Sequence, residues 1–169
     1  MGPRARRAGL VLALGAALAL PGSAVAALPR EGVLVPGQTL GGVAVGMSKT
    51  QVRRVWGTHF GRCRDCLLET WYFTYRPFEP QGAGVVFRRG RVSHVFTLWQ
   101  PEGWRTPEGL ELGDSEAEVT RIFGALVRRS CIRYTALLLR GRRAQTAFYV
   151  FDGAVWGFGL TRPAANPCL

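Results

Sequence analysis

The chain has 169 residues, 47% hydrophobic and 20% charged, with a formal net charge of +11. This composition excludes an intrinsically disordered chain, and the length allows one compact domain or two small lobes sharing a core. Lys49 is the single lysine, so nearly all the positive charge is arginine. A basic surface attracts anionic partners such as a cell-wall polymer, a lipid head group or an acidic protein, although plain solvation accounts for the same charge.

Residues 1–26 read as an export signal. Arg4, Arg6 and Arg7 make a basic start, Leu10 to Leu20 an apolar run broken by Pro21-Gly22, and Ala24-Val25-Ala26 a small-x-small cleavage site. The run is too short for a bilayer span, which takes about 20 residues. Cleavage after Ala26 removes three arginines and no acid, taking the charge from +11 to +8. The mature protein is then secreted or extracytoplasmic, with no transmembrane segment.

The next feature occurs twice. Gly42-Val43-Ala44-Val45-Gly46-Met47-Ser48-Lys49-Thr50-Gln51-Val52-Arg53-Arg54-Val55-Trp56-Gly57 aligns without a gap on Gly109-Leu110-Glu111-Leu112-Gly113-Asp114-Ser115-Glu116-Ala117-Glu118-Val119-Thr120-Arg121-Ile122-Phe123-Gly124. Each copy predicts a short helix. Ser48 with Gln51, and Ser115 with Glu118, have the spacing of capping boxes. Val52, Val55 and Trp56 share one helical face, as do Val119, Ile122 and Phe123. Gly57 and Gly124 stand where a left-handed C-terminal cap favours glycine.

A strand is predicted around Val33 to Val35, and a polar loop at Thr58 to Cys66. Strands follow at Glu69 to Arg76, Val85 to Arg88 and Val92 to Trp99, the last two joined by a hairpin at Arg89-Gly90. Gln100 to Pro107 connects to the second copy. There the strands are Ile132 to Leu139, Thr146 to Phe151 and Val155 to Thr161, with Asp152-Gly153 as the turn. The expected fold is α+β: two tandem repeats, residues 27–100 and 101–169. Each is a short helix on a three- or four-stranded antiparallel meander, and together they form one continuous curved sheet.

The Gly-x-Ser helix cap, the Val-x-x-Val/Ile-aromatic-Gly helix, the aromatic strand and the Gly-turned hairpin resemble the superfamily containing β-lactamase inhibitory protein. One such unit also resembles the BamE-type outer-membrane assembly lipoproteins. The resemblance covers Leu40 to Leu160. It implies a secreted, non-catalytic protein that binds its target through the concave face of a curved sheet. The lipid-bearing Cys of the BamE type is missing here. Cys63 and Cys66 are too close together to reproduce the disulfide found in each repeat of the inhibitor, and no target-inserting residue carries over by position.

Four cysteines in an exported chain read as disulfides, with three pairings open. Cys63–Cys66 with Cys131–Cys168 is favoured, the second bond tying the C-terminal tail to the second copy. Cys63-x-x-Cys66 beside Arg62 and Arg64 is also the spacing of a redox pair, but such pairs open a helix, and a strand is expected after this one. A zinc site from His59, Cys63 and Cys66 lacks a second ligand pair. The Ser48 and Ser115 motifs miss the nucleophile elbow, and no dinucleotide or phosphate-loop fingerprint is present. The arginines around Gly90 and Gly141 read as exposed hairpin tips, and export argues against nucleic acid.

The expected function is therefore non-catalytic binding of a protein or cell-envelope component, with no cofactor or metal. The alternatives are an extracytoplasmic thiol–disulfide protein and a binder of anionic cell-wall polymer. Strand alternation places Trp71, Phe73 and Tyr75 with Thr135, Leu137 and Leu139 on the core face. The open face then carries Tyr72, Thr74 and Arg76, with Tyr134, Ala136, Leu138 and Arg140. Continuing this frame adds Ser93, Val95, Thr97 and Trp99, then Val155, Gly157, Gly159 and Thr161, with one bulge near Gly153. Tyr72, Arg76, Trp99, Tyr134 and Arg140 have the composition of an interface, with Trp104 placed at its middle. The other outcome for this face is cover by the N-terminal lead-in and the tail.

Overall fold

The computed structural model describes Gly2, Leu28 and residues 31–74 and 81–168. The signal segment apart from Gly2, and Tyr75, Arg76 and Leu169, lie outside the described residues. The elements are β1 (Glu31–Val35), β2 (Thr39–Leu40), α1 (Lys49–Trp56), β3 (Gly61–Arg62), β4 (Glu69–Tyr72), β5 (Gly82–Arg88), β6 (Arg91–Leu98) and β7 (Gly103–Arg105). They continue with α2 (Glu116–Phe123), β8 (Val127–Ser130), β9 (Thr135–Leu139), β10 (Gln145–Phe151) and β11 (Ala154–Thr161).

Eight strands form one antiparallel sheet in the order β3-β4-β5-β6-β11-β10-β9-β8. The junction is the β6–β11 pair, where Leu98 faces Gly157 and His94 faces Thr161. A second sheet, β2-β1-β7, sets β1 parallel to β7, pairing Gly32 with Trp104. The fold is α+β, mostly sheet with two helices. No helix among the described residues is long and apolar enough to cross a membrane.

Both helices begin as their sequences dictate. The Ser48 hydroxyl accepts the Gln51 N–H at 3.3 Å, and the Ser48 N–H donates to the Gln51 side chain at 2.8 Å, completing a capping box. Ser115 accepts the Glu118 N–H at 3.2 Å, but the expected return bond does not form. The Glu118 carboxylate instead takes the Arg121 guanidinium three residues on, which holds its carboxyl below the usual range. Gly57 (φ 82°, ψ −170°) and Gly124 (φ 75°, ψ −156°) close the two helices at positive φ but in an extended conformation open to glycine, and not in the left-handed helical cap expected.

One face of the large sheet packs against the helices. Trp71, Val85, Phe87, Val95, Leu137, Phe148, Val155, Phe158 and Leu160 meet Val52 and Trp56 of α1 and Val119 of α2. The small sheet feeds the same core through Leu34, Leu40 and Trp104. Trp104 is fully buried, which corrects the expectation that it stands in a binding face. Its ring lies so close over the backbone of Gly32 and Gly41 that a Cβ on either would fall 2.6 and 2.1 Å from it, and Trp56 meets it edge-on at 5.9 Å.

Two β-bulges govern the strand faces. The β5–β6 register shifts between Val86 and Phe87, opposite His94 and Val92, and the β10–β11 register shifts between Tyr149 and Val150, opposite Gly157 and Val155. The unpaired residues are Ser93 and Trp156. The bulge in β6 reverses the expected parity, so Val95 belongs to the helix face while Phe96 and Leu98 point the other way. Val155 likewise joins the helix face. Trp71, Phe73, Leu137 and Leu139 lie on the helix side, and Tyr72, Tyr134, Ala136 and Leu138 on the other, as alternation predicts.

Candidate functional site: the tail-bearing face of the sheet

The second face carries its own apolar layer of Phe96, Leu98, Ala136, Leu138, Ala147, Tyr149 and Trp156, with Tyr72, Val86 and Tyr134 packed at its border. Large side chains lie over glycines of the neighbouring strand. A Cβ at Gly84 would meet the Phe96 ring at 2.5 Å, and one at Gly159 would meet the Tyr149 hydroxyl at 2.5 Å. Glycine here makes room for a neighbouring ring.

The C-terminal tail, Arg162 to Cys168, crosses part of this face. The Tyr149 hydroxyl donates to Pro167 O at 3.0 Å, Gln145 Nε2 to Ala165 O at 3.2 Å, and His94 Nε2 lies 3.0 Å from Asn166 O. Burial pushes the Tyr149 phenol well above its ordinary pKa, with Tyr134 adding to the shift. Burial pulls the His94 imidazole below its ordinary pKa; the Asn166 carbonyl opposes the shift and Arg162 adds to it.

The tail ends in a disulfide between Cys168 and Cys131, and Cys63 is bonded to Cys66. Both are the pairings expected from the sequence. Two disulfides point to an extracellular location. Cys63–Cys66 lies in the exposed β3–β4 loop, where the Cys63 N–H donates to Thr70 O at 3.0 Å. It does not open a helix, and its bonded sulfurs are not free thiolates for a metal.

The sequence-predicted residues do not converge on one point. Tyr72 on β4 is half-buried, its hydroxyl 3.6 Å from Cys66 Sγ. Tyr134 stands just before β9 and Arg140 just after it, Arg140 exposed. Five strand spacings separate β4 from β9, about 24 Å, which suits a macromolecular surface and not a small-molecule pocket. Trp104 is in the core, and Arg76 lies outside the described residues.

Trp99 is 45% exposed in a left-handed backbone conformation (φ 54°), and its N–H donates to Trp156 O at 2.7 Å. A bulky residue at positive φ persists only where its surroundings hold it there. The Trp156 ring in turn meets Tyr134 at 5.4 Å and Phe151, itself 44% exposed, at 5.6 Å. Trp156 Nε1 is buried and finds no acceptor among the described residues. A buried donor without a partner costs about 1–3 kcal/mol, a penalty located at the centre of this aromatic group. The sequence reading expected a bulge near Gly153 but kept Val155 on this face; the bulge falls at Trp156, so Val155 turns to the helices and Trp156, with Phe151 beside it, was missed.

No family model and no curated protein matches this chain. Among solved structures, it is similar to an extracellular protein containing a SCP domain from Bacillus anthracis str. Ames. The identity is 10% and the TM-score 0.50, over 70% of this chain and 44% of that one. A DUF4309 family protein (YjgB) from Bacillus subtilis subsp. subtilis str. 168 matches at 11% identity and a TM-score of 0.47, over 74% of this chain and 85% of that one. The chain thus spans less than half the length of the SCP-domain protein, and that likeness is one of fold.

Proposed function

We propose that this is an extracytoplasmic, non-catalytic binding protein built from two copies of one helix-plus-meander unit, as the resemblance to the β-lactamase inhibitory protein superfamily implies. The two copies are supported by repeated detail. Gly46 N–H donates to Val92 O and Gly113 N–H to Val155 O, each at 2.8 Å. Ser48 bridges Arg91 at the first hairpin, as Ser115 bridges Ala154 at the second. The bulged residues Ser93 and Trp156 occupy the same place in their hairpins.

The observations that carry the binding reading are the aromatic group of Tyr134, Phe151 and Trp156, with Phe151 nearly half exposed, and the equally exposed Trp99, whose backbone N–H donates to Trp156 O. Aromatic side chains seated on a rigid sheet bring contact area at little entropic cost, which is how interface hot spots are built. The hydroxyls of Ser48 and Ser115 are engaged in helix caps and the cysteines in disulfides, so the candidate nucleophiles already have structural work. The SCP-domain protein is described as extracellular, in keeping with the leader reading and the two bonds.

The test is capture from the secreted and envelope fractions of the source cells, with the mature oxidised protein as bait. Trp99→Ala and Phe151→Ala are expected to abolish recovery of the captured partner, and Tyr72→Ala and Tyr134→Ala to weaken it. All four should melt within a few degrees of the parent. Recovery unaffected by Trp99→Ala and Phe151→Ala together would overturn this surface as the binding site.

A further inference from the structure

A second site lies on the tail-bearing face, away from Trp99, and does not depend on the partner reading. The tail and strands β8 to β10 enclose a cleft of about 460 Å³, within the range of small-ligand sites. Its floor is the cross-strand pair Val127 and Leu138. Its roof is the tail, Pro163 to Pro167. Arginines stand at its two ends: Arg129 lies two residues beyond Val127 on β8, and Arg140 two residues beyond Leu138 on β9. The strands run antiparallel, so the two arginine positions diverge from the Val127–Leu138 pair and stand about 13 Å apart along the sheet. Arg129 shares a face with Val127 by strand alternation, and Arg140, just past the end of β9, lines the cleft as well.

No acidic side chain lines the cleft. Arg128 pairs with Glu116 of α2, whereas Arg129 and Arg140 make no ion pair among the described residues. Discouraging edge-to-edge pairing would account for arginine on β8, which ends the sheet, but not for Arg140, which follows the interior strand β9. The roof is fixed in advance by the Cys131–Cys168 bond and the Tyr149–Pro167 hydrogen bond. Within it, Ala164 is held at φ 59°, a strained conformation for a residue with a Cβ.

We propose that this cleft binds a linear phosphate-bearing ligand, with one phosphate at Arg129, another at Arg140, and an uncharged spacer over Val127 and Leu138. The guanidinium fork matches the oxygens of phosphate and carboxylate alike, and phosphate is favoured because it brings more negative charge and a third acceptor oxygen to each arginine. A ligand with one phosphate engages one end only, whereas a bisphosphate of the right length gains the second contact at high effective concentration. A small organic bisphosphate and a segment of a phosphodiester polymer share this chemistry.

The test is calorimetric titration of the oxidised protein with inorganic phosphate and with α,ω-alkanediol bisphosphates of two, six and ten carbons. The six-carbon compound is expected to bind at least tenfold more tightly than inorganic phosphate and than the two-carbon compound. Arg129→Ala and Arg140→Ala should each remove that advantage, while Arg89→Ala, at the distant β5–β6 turn, should leave it intact. Both cleft arginines are exposed, and an unchanged melting temperature verifies folding. Competition by long-chain polyphosphate at equal phosphate concentration would identify a polymer, and its failure a discrete small ligand. Equal affinity for phosphate and bisphosphate, indifference to both cleft substitutions, or equal binding of the matching dicarboxylate would overturn the proposal.

Discussion

The two faces of the eight-stranded sheet are closed by different means. The helix face is covered by α1, α2 and the small sheet, and its contacts are almost wholly apolar, from Val52 and Trp56 to Trp104 and Val119. The opposite face is covered by a tail without regular secondary structure, held by side-chain hydrogen bonds from Tyr149, Gln145 and His94 and by one disulfide. Burial of area stabilises the first. The second is a clamp, and it leaves Phe151, beside Trp156, uncovered. A face closed by a clamp can offer its margins to a partner, whereas a face closed by burial has none to offer.

The largest way to break this contrast lies on the helix face. Trp104→Ala is expected to cost about 3–5 kcal/mol, because it empties a site formed around the ring by Gly32 and Gly41 that cannot collapse. Chemical denaturation measures it; a loss under 1 kcal/mol would mean that the small sheet is not part of the core.

Next comes the clamp. Cys131→Ser and Cys168→Ser should each cost about 3–4 kcal/mol by freeing the loop between them, with the double mutant no worse than either single. Additive losses would show that the two sulfurs act independently. Proteolysis should then cut first within the tail.

The helix caps sharpen the comparison more finely. Ser48→Ala and Ser115→Ala should each cost about 1 kcal/mol. Gln51→Ala should weaken α1 further through its lost bond to the Ser48 N–H, whereas Glu118→Ala should act only through Arg121. Unchanged denaturation midpoints in both serine mutants would remove the caps as determinants of the helix starts.

The smallest effect is on the tail face and depends on pH. His94 is held below its ordinary pKa, so the unfolded chain takes up its proton more readily than the folded one. The contribution of neutral His94 is therefore complete above the unfolded value near 6.5 and is lost as pH falls from there toward the lower folded value. The midpoint of unfolding, compared at pH 7.5 and at mildly acidic pH, should fall less in His94→Asn than in the parent. Equal falls would place the pH sensitivity elsewhere.

Much of this architecture was readable from local signals. The capped helices, the Asp152-Gly153 turn and the face assignment of β4 and β9 follow from spacing alone. What escaped reading depends on a single extra residue or on distant parts of the chain. The bulge at Ser93 reversed every later position on β6, and nothing in Val92-Ser93-His94-Val95 marks it. The parallel pairing of β1 with β7 joins segments some seventy positions apart, and it is what takes Trp104 into the core. The tail is irregular, so its course over Tyr149 and His94 carries no periodic signature, and the cleft it roofs had none to read.

The ends of the sheet have a consequence for how the protein behaves when crowded. An open sheet invites a second copy to add its own strand, and successive additions would make a fibre. At one margin β3 offers a ladder of only Gly61 and Arg62. At the other, Arg128 and Arg129 occupy the middle of four-residue β8, so an identical margin brought alongside would meet like charge. Lengthening the first margin or neutralising the second would turn a self-limited sheet into one able to polymerise.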